Sequence, residues 1–133
     1  MHLLFECHRI LDEGGLLLLT TPNIASLTSI ARTLHGWKNP QVFSAYPAAD
    51  NCDTPHVREY TAREAADAVE AVGFEVEALL TERIAGLEES AWVNELLERE
   101  GFDISLRGEQ TYCLARRRAN LRRERYPKWL YGG

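Results

Sequence analysis

Histidine, arginine and tyrosine spaced two apart in His56-Val57-Arg58-Glu59-Tyr60 are the first place to look for chemistry in this chain. An imidazole titrates near neutrality, so His56 is a weak candidate for taking a proton from an acceptor hydroxyl or amine. Arg58 could hold a carboxylate or phosphate by a two-pronged contact. The plainer alternative pairs Arg58 with Glu59 and packs Tyr60 as a staple ahead of the next helix. The second candidate group is Thr20-Thr21-Pro22-Asn23, which closes an apolar run. If that run is a strand of an open α/β sheet, ligands bind beyond its carboxyl end. Thr21, Asn23, Arg58 and Tyr60 are then the candidates for substrate binding. Against this, Thr21 could cap the strand and Asn23 could simply make a turn. Cys52, Asp53 and His56 suggest a metal corner, but no second ligand pair accompanies them, so no metal site is expected.

The chain that must position these groups has 133 residues, 45% of them hydrophobic and 26% charged, the balance of one globular domain. That length buries a core without disulfides or a structural metal. Cys7, Cys52 and Cys113 are odd in number and far apart, which fits reduced thiols in a cytoplasmic setting. No run approaches the ~18 apolar residues of a membrane span. The opening is not a secretion signal, because Glu6, His8, Arg9, Asp12 and Glu13 interrupt it. A net charge of −5 hides an asymmetry: from residue 116 onward six arginines and Lys128 face Glu124 alone. An acidic body argues against general nucleic-acid binding. Tyr126, Trp129 and Tyr131 could stack bases between those arginines, but the expected outcome is a basic tail, 116–133, closing over its own acidic body.

Leu3, Leu4, Cys7, Ile10 and Leu11 recur at three- and four-residue intervals, which predicts an amphipathic helix stopped by Gly14-Gly15. Leu16–Thr21 is apolar on both faces and short, so it reads as a strand buried on both sides, ended by Pro22. Ser26 can cap a helix carrying Leu27, Ile30, Ala31 and Leu34, which stops at Gly36. From Trp37 to about Tyr60 no periodicity survives, a loop long enough to expect function in it. Thr61-Ala62-Arg63-Glu64 has the form of a capping box, followed by a helix faced by Ala65, Ala68, Val69 and Val72. Phe74, Val76 and Ala78 alternate as a strand would, running on through Leu79 and Leu80. A helix with Trp92, Leu96 and Leu97 inward ends at Gly101, and Thr111–Ala115 reads as a last strand.

Two stretches carry a family resemblance. The helix with Glu6-Cys7-His8-Arg9-Ile10-Leu11, the turn Leu11-Asp12-Glu13-Gly14-Gly15 and the strand running into Thr20-Thr21-Pro22-Asn23 resemble the entry and exit of the fifth strand of class I S-adenosylmethionine-dependent methyltransferases. His56-Val57-Arg58-Glu59-Tyr60-Thr61, its helix, and Gly73-Phe74-Glu75-Val76 resemble the same family's approach to its sixth strand. The Thr-Thr-Pro-Asn exit is similar to the groups known as type 11, type 12 and methyltransferase domain 23. The likeness spans Leu3 to Thr81, and the region to Ala115 fits the last helix and the antiparallel seventh strand.

The resemblance implies an α/β fold: the C-terminal part of a Rossmann-like methyltransferase sheet, strands five, six and seven with flanking helices, and incomplete. It implies a partial domain over 1–115, lacking the cofactor-binding half. The family binds S-adenosylmethionine on a glycine-rich loop after its first strand; here Gly14-Gly15 follows a helix and precedes a strand, the reverse order. No cofactor-binding residue is therefore assigned, and no cofactor is expected on this chain alone. The implied activity is methyl transfer to a small-molecule acceptor, carried out by the complete enzyme, the chain itself being inactive. The fifth strand of the family lies between the fourth and the seventh, so one edge of Leu16–Thr21 should be left open. Such an edge is adhesive, and it leads to the alternative of a non-catalytic module that completes its sheet with a second copy or another chain.

Overall fold

A computed structural model describes residues 1–36, 58–84, 90–121 and 123–131 of the chain. The elements follow in the order α1 (His2–Ile10), β1 (Leu16–Pro22), α2 (Leu27–Leu34), α3 (Ala62–Ala71), β2 (Phe74–Glu82), α4 (Ala91–Arg99), β3 (Gln110–Arg117) and α5 (Lys128–Tyr131). The protein is α/β, with one three-stranded sheet in the order β1-β3-β2. The last strand in sequence is thus the middle one, antiparallel to both neighbours.

One face of this sheet carries the core. Leu17 and Leu19 from β1, Phe74, Val76 and Leu79 from β2, and Cys113 and Ala115 from β3 meet Leu4 of α1, Ala68 and Val69 of α3, and Val72 just past its end. The small residues expected on α3 let its backbone approach the strands closely. Its start is the predicted capping box, with Thr61 accepting from the Glu64 amide and Glu64 from the Thr61 amide. Removing one partner leaves first-turn amides unpaired, so Thr61→Ala should cost about 1 kcal/mol. A denaturant titration would register that as a shifted midpoint at unchanged slope.

The other face differs from expectation. Leu16 and Leu18 were expected inside; they are 50% and 63% exposed, because among the described residues no helix covers that side. Four leucines in a row carry no periodicity, so the run could not announce which two would stay bare. β2 also departs from strict alternation. A bulge between Val76 and Ala78 resets the register, so that Ala78 and Leu80 turn outward while Leu79 joins the core. Arg116 of β3 reaches the displaced Glu77 with two guanidinium nitrogens.

The helices show smaller rotations. On α1 the covered stripe is Met1, Leu4, Phe5, Cys7, His8 and Leu11, while Leu3 and Ile10, expected inward, lie outside. The stripe includes His8, a polar residue that is nevertheless buried. On α4 the buried residue is Val93, with Leu97 beside it, and both pack on Leu27, Ile30 and Ala31 of α2. Trp92 lies at the margin, its ring edge-on to His35 at 5.3 Å. α4 meets another helix rather than the sheet, which turns its contact face by one residue from the expected Trp92, Leu96 and Leu97.

β3 runs to Arg117, past the expected boundary at Ala115, and beyond it the Arg118 and Glu124 amides donate to the carbonyls of Gly73 and Ala71. Arg116, Arg117 and Arg118 pair with Glu77, Glu13 and Glu75 respectively. Guanidinium contact holds the Glu77 carboxyl below its ordinary range. Among the described residues no helix is long and apolar enough to cross a membrane.

Candidate functional site

The carboxyl end of β1 gathers the described candidates into one corner. Thr21 lies in the last turn of the strand, opposite Thr111, which is in turn opposite Thr81 of β2. Two residues on, Asn23 bridges to Tyr60, and the Ile24 amide donates to the Tyr60 carbonyl at 3.1 Å. This places the start of α3 beside the end of β1. Arg58 stands over the Tyr60 ring, 5.1 Å from its centre, and bonds Glu64 at 3.0 Å. Its partner is Glu64 rather than the Glu59 of the plainer alternative. His56, Cys52 and Asp53 lie outside the described residues.

Each side chain has a local reason for its place. Asn23 is 3% exposed, and its amide nitrogen donates to the carbonyls of Leu106 and Gly108, at 3.1 and 2.8 Å. Its side-chain oxygen accepts from the Ala25 amide at 3.1 Å, the Asx turn that reverses the chain before Ser26 caps α2. The turn-making alternative is therefore the role the geometry gives Asn23, and no polar atom of its side chain is left over for a ligand. Thr21 is half-buried on the core side of the sheet. Tyr60 and Arg58 remain nearest to solvent.

A cleft of about 380 Å³ opens next to this corner, between Ala25, Thr61, Arg63, Asp103, Leu106 and Arg107. Asp103 is held below the ordinary carboxylate range, first by the Ser105 amide and hydroxyl and then by Arg63. A carboxylate so stabilised is a fixed charge at neutral pH and a poor proton acceptor. Arg107 donates to the carbonyls of Ala25 and Asp103. The cleft can seat a small polar group but brings no described base to it. A larger cleft, about 790 Å³, lies at the opposite end of β1 among Glu13, Glu70, Phe74, Glu75, Arg118 and Asn120. We assign the candidate site to the smaller one, because only there do strand end, helix start and loop converge.

No protein-family model matches the chain, and no curated protein matches it either.

Sequence reasoning overlooked the segment 102–109, which closes this corner. Glu109 accepts from the Thr28 hydroxyl at 2.8 Å and the Ile84 amide at 3.0 Å, tying α2 to the end of β2. Gly108 lies against the backbone of Glu82. A glycine followed by an acidic residue just ahead of a strand was the available signal, and it is a weak one. Among the described residues no three histidines, cysteines or carboxylates are grouped to hold a metal ion. Cys7 and Cys113 are free thiols, and burial pushes the Cys113 thiol upward.

Proposed function

We propose that this chain is the substrate-side part of a class I S-adenosylmethionine-dependent methyltransferase, acting on a small-molecule acceptor and inactive without a cofactor-binding half. What supports the reading is one observation. The strand that follows the helix and the Gly14-Gly15 turn pairs antiparallel with the last strand, and its other edge has no strand beside it among the described residues. This is the neighbourhood the resemblance implies for the fifth strand, with the fourth supplied from elsewhere. Methyl transfer depends mainly on aligning donor and acceptor, so a part that offers a shaped wall without a strong base suits that chemistry. Tyr60 and Arg58 would form the wall, with Thr21 behind them, while Asn23 holds the turn.

The test is the reading frame upstream of Met1. A frame continuous with this chain and encoding a glycine-rich strand-to-helix loop is expected, and the joined product should bind S-adenosylmethionine and transfer its methyl group. An upstream stop codon, or micromolar binding of S-adenosylmethionine by the 133 residues alone in a calorimetric titration, would overturn the proposal.

The bare side of the sheet favours a second reading, an interaction module that completes its sheet with another polypeptide. Gly15 and Asn23 bond toward β3, and alternation along the strand turns the backbone groups of Leu16, Leu18 and Thr20 to the open edge. β1 carries no charge to protect that edge. Beside it, Leu18, Ala78, Leu80, Tyr112 and Leu114 line an apolar hollow of about 490 Å³. On either reading Leu18→Lys should leave the fold intact and reduce association. Light scattering across a concentration series would show the variant monomeric where the parent chain grows; equal association of the two would exclude this face.

A further inference from the structure

Arg107 stands in the wall of the smaller cleft, beside Ala25, Thr61 and Leu106. Two neutral acceptors hold its guanidinium: Nε donates to the Asp103 carbonyl and Nη1 to the Ala25 carbonyl, each at 3.2 Å. A guanidinium has further N–H donors, and Nη2 makes no bond among the described residues. Every ion pair among the described residues involves another arginine. The backbone here is pinned as well, since the Arg107 carbonyl accepts from the Leu27 amide at 3.0 Å. The fold thus positions a cation at the cleft and, among the described residues, gives it no carboxylate.

We propose that this cleft binds the carboxylate or phosphate group of a small anionic molecule on Arg107, with Arg63 as a second, movable cation. Arg63 lies on the same wall and meets the Asp103 carboxylate at 3.5 Å. Both side chains of that pair are largely exposed, 73% and 61%, so the pair is loose and contributes little to stability. Arg63 can therefore exchange Asp103 for an incoming oxyanion at small cost. Two guanidinium groups against one carboxylate leave the cleft positive, in a chain whose net charge is −5. The start of α3 borders the cleft, but Thr61 and Glu64 already cap it, so the arginines carry the site. A volume of about 380 Å³ suits a small molecule.

Other arginines are less suited. Arg58, which the sequence offers for a two-pronged contact, is engaged by Glu64. In the larger cleft Glu13, Glu70 and Glu75 outnumber Arg118, which is itself paired with Glu75, and such a surface repels an anion. Asp103 tunes the smaller cleft. Ser105 and then Arg63 hold its carboxyl below the ordinary range, so at neutral pH it is a fixed negative charge beside the incoming group. Taken with the function proposed above, on which this step alone rests, the site narrows the methyl acceptor to an anionic small molecule. The binding itself is a property of this chain.

An NMR titration of the whole isotope-labelled chain tests the site, with acetate and inorganic phosphate as probes and chloride holding the ionic strength constant. Amides of Arg63, Ser105 and Arg107 should shift and saturate, and the tighter probe names the group that the cleft takes. Asp103→Asn, whose side-chain oxygen can still accept from the Ser105 amide, should tighten binding about three- to fivefold, the range of an exposed charge pair. Arg63→Gln should weaken it by a similar factor, and Arg107→Gln should abolish it. If Arg107→Gln fails to fold, the other two variants decide. Arg9→Gln, at an exposed arginine of α1, is the control and should leave binding unchanged. No saturation with either probe would overturn the proposal. So would an Asp103→Asn chain that binds no tighter, or a loss in Arg9→Gln equal to that in Arg63→Gln. No cofactor enters the titration, so its failure leaves the methyltransferase reading to the upstream frame, and failure of that reading leaves the anion site standing.

Discussion

Asn23→Ala should lower the thermal midpoint by about 10 °C, although it removes only a small polar side chain. The substitution deletes three hydrogen bonds in a buried turn and strands the carbonyls of Leu106 and Gly108 and the amide of Ala25. Stranded buried partners cost about 1–3 kcal/mol each in the worst case, and about 3 kcal/mol in total is a reasonable sum for groups of which some regain water. For a domain of this size, each kcal/mol moves the midpoint by roughly 4 °C. Asn23→Asp sharpens the point. A carboxylate can still accept from Ala25, but it faces two carbonyl oxygens to which it cannot donate. Its destabilisation should be greatest at neutral pH and ease as the acid is protonated. Calorimetry on both variants decides the matter. A midpoint within about 2 °C of the parent for Asn23→Ala would mean that the turn does not depend on these three bonds.

Gly108→Ala should cost a similar amount for a different reason. The added carbon would lie 2.5 Å from the carbonyl oxygen of Glu82 and 2.6 and 2.7 Å from its carbonyl carbon and amide nitrogen. These are backbone atoms at the end of β2, so neither side can yield without moving the strand or the 102–109 segment. Overpacking of this kind costs about 1–3 kcal/mol and sometimes more. The displacement would also break the Gly108 amide bond to Thr81 and the acceptor that Asn23 uses. Because the two sites share that bond, Asn23→Ala combined with Gly108→Ala should fall well short of the sum of the two losses. Urea unfolding of the two single variants and the pair measures this directly; full additivity would mean that the two residues act separately.

Much of the local structure was legible because it is written in local rules. Spacing on α3, its capping box and the Ser26 cap on α2 depend on neighbours within one turn, and all three formed as read. What could not be read depends on distant partners. His8 is an ordinary polar position on α1 until Gly73 and Arg123 cover it. Leu16 and Leu18 look like core, yet among the described residues nothing comes to rest on them. Ala78 obeys alternation until the bulge ahead of it reverses the faces. At the candidate site, the convergence of Asn23, Arg58 and Tyr60 was foreseeable from the strand end and the following helix start. Leu106 and Gly108 were not singled out, and Glu64 was read as a capping residue, not as the partner of Arg58; these contacts decide which side chains are still free.

The position of β3 has a consequence for how the protein is made. Among the described residues, β1 is paired through residues 110–116 alone, and β2 through residues 110–117. At roughly 5–20 residues per second, the leucine strand emerges from the ribosome many seconds before β3, its neighbour among the described residues, exists. During that interval Leu16–Leu19 is an apolar, uncharged ribbon not yet joined to β3, the kind of nascent segment that chaperones engage. Termination before Gln110 would leave β1 and β2 without the strand that lies between them.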